Sequence, residues 1–105
     1  MIHGQEYRTT ERWNGKPVYR KLIKYTNAEA LQGTAYITIP HGISNLNMVL
    51  TALGTTNQYL LPYVSASTSL NVSEWNGTNL YLYNGNSTWS ANRDWYIELR
   101  YTKSE

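Results

Sequence analysis

The dipeptide Asn14-Gly15 stands between two alternating runs, Tyr7 to Trp13 and Val18 to Tyr25. A two-residue hairpin turn of type I′ needs φ > 0 at both central residues, which Asn tolerates and Gly adopts freely. The spacing therefore predicts a β-hairpin that runs on into a long strand. Pro17 has no N–H to give to a ladder, so its donor position faces an edge or solvent. Along the second run Tyr19, Ile23 and Tyr25 share a face with Lys21, and Val18, Arg20, Leu22 and Lys24 share the other. Neither face is purely apolar. The pattern predicts cover on both, with the core on one side and a neighbouring subunit on the other.

The remaining chain repeats this grammar. Thr34 to Ile39 reads as a strand with Ala35, Ile37 and Ile39 inward and Tyr36 and Thr38 outward. The apolar segment around Met48–Leu53 reads best as a buried strand, with a short helix as the alternative that periodicity alone does not separate from it. Gln58 to Val64 reads as a strand that Pro62 confines to an edge or a bulge. A second Asn-Gly pair, Asn76-Gly77, joins Ser69–Trp75 to Leu80–Tyr83 as another hairpin. The last strand, Asp94 to Lys103, points Trp95, Ile97, Leu99 and Tyr101 into the core. One stretch, Thr26 to Gly33, has helix-compatible residues, with Asn27 placed to cap a single turn and Gly33 to end it. It is too short to be a stable helix alone, so a loop with at most one turn is expected. Seven or eight short strands at this spacing predict an all-β, antiparallel β-sandwich, jelly-roll-like. Residues 1–6 read as an N-terminal tail and 7–105 as a single domain.

Composition removes several function classes. The chain has 105 residues, net charge +2 and only 15% charged residues, and no basic cluster exceeds Arg20-Lys21. That is no nucleic-acid footprint. No apolar run reaches the roughly 18 residues of a membrane span. There are no cysteines. His41 has no second histidine near it, so a metal site is unsupported and His41 reads as a structural residue at a strand-to-turn junction. No residue pattern asks for a cofactor. Ten Tyr and four Trp stand without one Phe. Aromatics with a polar handle suit surfaces that are apolar on one side and wet on the other.

Three segments carry a family resemblance. The run Glu11-Arg12-Trp13-Asn14-Gly15-Lys16-Pro17-Val18-Tyr19-Arg20-Lys21 resembles the opening of a C-terminal domain of tail-fibre and receptor-binding proteins from phages and prophages. The same family continues with a His-Gly-Ile step, here Ile39-Pro40-His41-Gly42-Ile43, and closes on a strand such as Leu99-Arg100-Tyr101-Thr102-Lys103. The resemblance implies a β-sandwich at the distal tip of a virion's fibre, usually a homotrimer. The rest of the fibre or baseplate would precede it, and it would act outside the cell, on a bacterial surface and often on its glycan. It implies no fixed ligand residues.

Candidate ligand residues come instead from loop chemistry. A sugar has apolar C–H faces and a polar rim, which call for a flat aromatic ring beside hydrogen-bonding side chains. Trp75 with Asn76 supplies this at one turn, and Trp89 with Asn92, Arg93 and Asp94 at the next loop. Asn57 and Tyr59 add a third. Trp89 has a competing role as an anchor tucked onto its own sandwich. Two other readings stand beside glycan adhesion. One is a purely structural trimerisation or capping domain. The other is a polysaccharide depolymerase, which needs two carboxyls facing each other across a bond. Only Glu74 and Asp94 sit at loop ends for that, and no nucleophile elbow or His-rich motif accompanies them.

Overall fold

The turn at Asn14-Gly15 forms as its sequence requires, with φ of 49° and 80°. Trp13 stands directly opposite Lys16, so the loop is the two residues of a I′ hairpin. The computed structural model describes residues 3–30, 33–56, 59–64, 69–85 and 88–104. Among them lie nine strands and no helix. These are β1 (Glu6–Trp13), β2 (Lys16–Thr26), β3 (Thr34–Pro40), β4 (Leu46–Thr56), β5 (Tyr59–Leu61), β6 (Tyr63–Val64), β7 (Ser69–Trp75), β8 (Asn79–Gly85) and β9 (Asp94–Lys103). The run that Pro62 was to confine to an edge or a bulge is instead divided there: β5 and β6 lie in different sheets, each at an edge.

Two antiparallel sheets result, one ordered β1-β2-β9-β4-β5 and the other β3-β8-β7-β6. The chain passes between them after β2, after β3, at Pro62 and after β8. It thereby sets β2 beside β9 in one sheet and β3 beside β8 in the other. This is a roll of N- and C-terminal halves, and the fold is a β-sandwich.

Alternation fixes which side chains meet. On β9 Trp95, Ile97, Leu99 and Tyr101 are fully buried, and on β8 Leu80 and Leu82 are. Ile23, Ile39, Ile43, Leu61 and Leu70 complete the core between the sheets with Trp89. β2 turns Ile23 to the core, while on its opposite face Val18 is buried at one end and Lys24 is exposed at the other.

Three expectations change. The strand at Met48–Leu53 exists, yet Leu53 is 56% exposed and Met48 is exposed too. β4 has the core on one face only, so an unbroken apolar run does not mean burial on both. Register shifts between Leu46 and Met48 and between Val49 and Thr51 set which residues turn outward. The hairpin at Asn76-Gly77 forms, but not with a I′ turn. The register closes at Trp75 with Leu80, and the Asn76 side chain accepts from the Thr78 and Asn79 amides at 2.9 and 2.7 Å. Asn27 caps no helix; its side chain is a buried hub described below.

Candidate functional site

The structure sorts the expected ligand residues into two groups. Trp89, Asn92, Arg93, Asp94 and Tyr59 gather where β2 ends and β9 begins. Trp75 and Asn76 lie elsewhere, with Tyr81 and His41. Asn57 lies outside the described residues.

Asn27 organises the first group. It is 1% exposed. Its amide nitrogen donates to the carbonyls of Glu29 and Ser90 at 2.8 and 2.9 Å. Its side-chain oxygen accepts from the Arg93 amide at 3.1 Å and from the Trp95 indole at 2.9 Å. The Asn27 backbone accepts from the Asn92 amide at 2.6 Å and donates to the Arg93 carbonyl at 3.3 Å. Asn92 sits at φ 58°, a left-handed conformation that Asn tolerates better than most residues. No local pattern could have shown this, because three of the four side-chain partners lie more than 60 residues away.

Trp89 takes the anchoring role. At 6% exposure it offers no open face to a ligand. It packs edge-on to Trp95 at 5.4 Å and to Tyr59 at 5.2 Å. The Arg93 guanidinium lies 5.2 Å from the Trp89 ring and 6.0 Å from the Tyr59 ring, a cation held against two aromatic faces. Asp94 accepts from the Thr26 hydroxyl at 2.6 Å and approaches Lys24 at 3.9 Å. Between these groups lies a depression of about 330 Å³ lined by Thr56, Ser90, Arg93, Asp94 and Tyr96.

In the second group Asn76 shapes its own turn and donates to the Tyr81 hydroxyl at 2.9 Å. Its carbonyl accepts from the Nε2 of His41 at 2.9 Å, while the Nδ1 accepts from the Ile43 amide at 3.0 Å. An Nδ1 that accepts leaves the proton on Nε2. His41, 2% exposed, is thus a structural clamp between two loops, as the sequence suggests. Trp75 is exposed at the end of β7.

A third aromatic surface lies outside both groups. On β8 the side chains that alternate with buried Leu80, Leu82 and Asn84 are Tyr81 and Tyr83, which therefore face out from the four-stranded sheet. Tyr36, 58% exposed, pairs across the strands with Tyr83, and their rings lie 5.1 Å apart at 54°. Asn71 flanks Tyr83 on the other side, and Thr38 and Glu74 flank Tyr81. Tyr81 and Tyr83 stand two residues apart along one strand, roughly 6.7 Å. The sequence shows this alternation. The row lies in mid-strand, away from the loop tips where loop chemistry places the ligand residues.

The opposite outer face, on the five-stranded sheet, has different chemistry. Leu53 and the 72%-exposed Leu60 stand out from it. A shallow depression there is lined by Leu22, Leu53, Gly54, Thr55, Tyr96 and Glu98. Its charges are already matched within the chain: Arg20 with Glu98, Lys24 with Asp94, Arg100 with Glu11.

Among the described residues no group of three or more His, Cys, Asp or Glu converges on a metal position, and no helix is long and apolar enough to cross a membrane. No family model matches the chain, and comparison with curated proteins and with solved structures finds nothing similar.

Proposed function

We propose that this chain is the tip domain of a phage or prophage tail fibre. It is carried on the virion and acts outside the cell, where it adheres to glycan on a bacterial surface. The observation that carries the glycan reading is the row of Tyr36, Tyr83 and Tyr81 on the four-stranded sheet. Three rings lie side by side with Asn71, Thr38 and Glu74 beside them. Rings offer an apolar surface to the C–H faces of sugars, and the Thr38 hydroxyl and the Glu74 carboxylate, on exposed residues paired with Tyr81, stand beside it for the polar rim. The fibre assignment draws on the three resembling segments, which run from Glu11 to Lys103.

A surface of this kind binds weakly, with Kd on the order of millimolar, and needs several copies to hold a cell. The test is binding of the intact chain to purified host polysaccharide, read by NMR. Tyr36 is exposed, so Tyr36→Ala leaves the core untouched. Loss of at least about ten-fold in affinity with an unchanged fold is expected, the stacking contribution of one ring. Unchanged affinity refutes the surface.

The exposure of Leu53 and Leu60 favours a second, compatible reading: the five-stranded sheet is where copies of the chain meet, in a homotrimer. Its charges are paired internally, so an apposed copy meets no excess of either sign. Sedimentation of Leu60→Glu against the wild type tests this. An oligomer that survives the substitution removes the face from consideration.

A further inference from the structure

We propose that the depression beside Arg93 is a subsite for an oxyanion carried on a sugar, a carboxylate or a phosphate ester. Arg93 is tied by its backbone to Asn27 at both N and O. Its guanidinium rests against Trp89 and Tyr59, rings that are themselves packed edge-on. The cation is therefore fixed before any ligand arrives, and little side-chain freedom remains to be lost on binding.

Among the described residues Arg93 makes no ion pair. Its Nε and Nη1 are buried without a hydrogen-bond acceptor. A guanidinium carries five N–H donors and no acceptor, and burying donors against rings in place of water is unfavourable. An oxyanion arriving at the Nη2 end, which is not among the buried donors, makes charge-assisted hydrogen bonds there and offsets through its charge part of the cost of holding the cation against the rings. The nearby carboxylate does not supply this. Asp94 is engaged by the Thr26 hydroxyl and faces Lys24. Around the depression, then, Arg93 and Lys24 outweigh Asp94 by one positive charge.

The other lining groups suit a sugar. The hydroxyls of Ser90 and Tyr96 make no hydrogen bond among the described residues and border the opening. The Thr56 hydroxyl is spent on the Asp94 carbonyl at 2.7 Å and shapes the wall. A volume of about 330 Å³ sits at the small end of ligand sites and matches a single sugar unit. The oxyanion half of the proposal stands on Arg93 alone. The sugar half rests on the proposed function.

Trp89 lies beneath the cation and reports on it. The intact chain is titrated with sodium glucuronate, glucose 6-phosphate, glucose and inorganic phosphate, read by tryptophan fluorescence and by NMR. Glucuronate or the sugar phosphate is expected to saturate with Kd on the order of millimolar. Affinity should fall several-fold when salt rises from about 0.05 to 0.5 M. Glucose should be silent. Which of the two anionic sugars binds more tightly identifies the source. Arg93→Gln should weaken binding roughly ten-fold or more, and Arg93→Lys less, since the charge survives without the planar fork. Should Arg93→Gln not fold, Ser90→Ala and Tyr96→Phe report instead, each with binding a few-fold weaker. Equal responses to glucose and glucuronate overturn the proposal, as does binding that these variants leave unchanged. Inorganic phosphate binding as tightly as its sugar ester overturns the sugar half. Tyr36→Ala should leave this titration intact, so failure here and failure of the tyrosine surface are read separately.

Discussion

Replacing Asn27 with Ala should be among the most damaging single changes available in this chain. The substitution strands two donors that have no water to turn to: the Trp95 indole, on a fully buried residue, and the Arg93 amide. It also frees the carbonyls of Glu29 and Ser90, which sit on more exposed residues and recover water. Each buried group left unpaired costs about 1–3 kcal/mol. Two of them give roughly 2–6 kcal/mol, against a total stability of about 5–15 kcal/mol for a domain. At about 4 °C per kcal/mol for this size, the Tm should fall by roughly 8–24 °C. Urea unfolding followed by near-UV circular dichroism measures it. Asn47→Ala, which removes one bond from the exposed Asn47 to Thr102, is the control and should cost under about 1 kcal/mol. A double-mutant cycle with Trp95→Phe sharpens the test. The second change deletes the stranded indole donor, so Asn27→Ala should cost about 1 kcal/mol less in that background. If Asn27→Ala costs no more than Asn47→Ala, the hub is not what ties the β2 end to β9, and the account of Arg93 as a pre-positioned cation falls with it.

Two further outcomes follow from other elements. Burial alone would raise the Glu6 carboxyl, but hydrogen bonds from Tyr101 at 2.5 Å and Lys103 at 3.0 Å, with the charges of Lys103 and Lys21, hold it below its ordinary value of 4.5. A depressed carboxyl contributes stability that is whole above its unfolded value and is lost as pH falls through the folded one. The urea midpoint of the wild type should therefore converge on that of Glu6→Gln as pH drops below 4.5, and a constant gap would contradict this. On β4, a Cβ at Gly54 would meet the Tyr96 carbonyl at 2.7 Å and the Leu61 side chain at 3.0 Å, while Gly77 has open space around it. Gly54→Ala should cost about 1–3 kcal/mol and Gly77→Ala within about 0.5 kcal/mol, both read from Tm.

The fold was legible where a local rule had no competitor. Asn14-Gly15 admits one turn type, and the period-two pattern of Trp95 to Tyr101 admits one buried face. Legibility failed where the deciding contact was remote. Asn27 reads as a cap from its neighbours, yet its side chain is committed to Ser90, Arg93 and Trp95. Trp89 sits in a polar loop, yet Trp95 and Tyr59 draw it into the core. Met48–Leu53 reads as buried because apolar runs carry no information about how many faces a strand covers. Loop chemistry points to ligand residues at loop tips, and there Arg93 and Asp94 do line one depression. The widest aromatic exposure was in plain alternation on β3 and β8.

The two outer faces of the sandwich differ because alternation frees half of every strand from the core, and the chain has filled the two halves differently. Tyr, Asn and Thr face outward from the four-stranded sheet. Leucines and internally paired charges face outward from the five-stranded one. Tyr96 belongs to the second face and also lines the depression beside Arg93. The proposed self-association through the leucines and the proposed oxyanion binding at Arg93 therefore draw on one side chain. Two equilibria that share a group are linked, and the linkage is reciprocal. If copies meet on that face, the affinity for an acidic sugar must change with protein concentration, and the sugar must shift the association by the same factor. Titrations with glucuronate at protein concentrations below and above the association midpoint measure this. Identical affinities at both concentrations would mean that the two events do not share Tyr96, and one of the two surfaces would have to be reassigned.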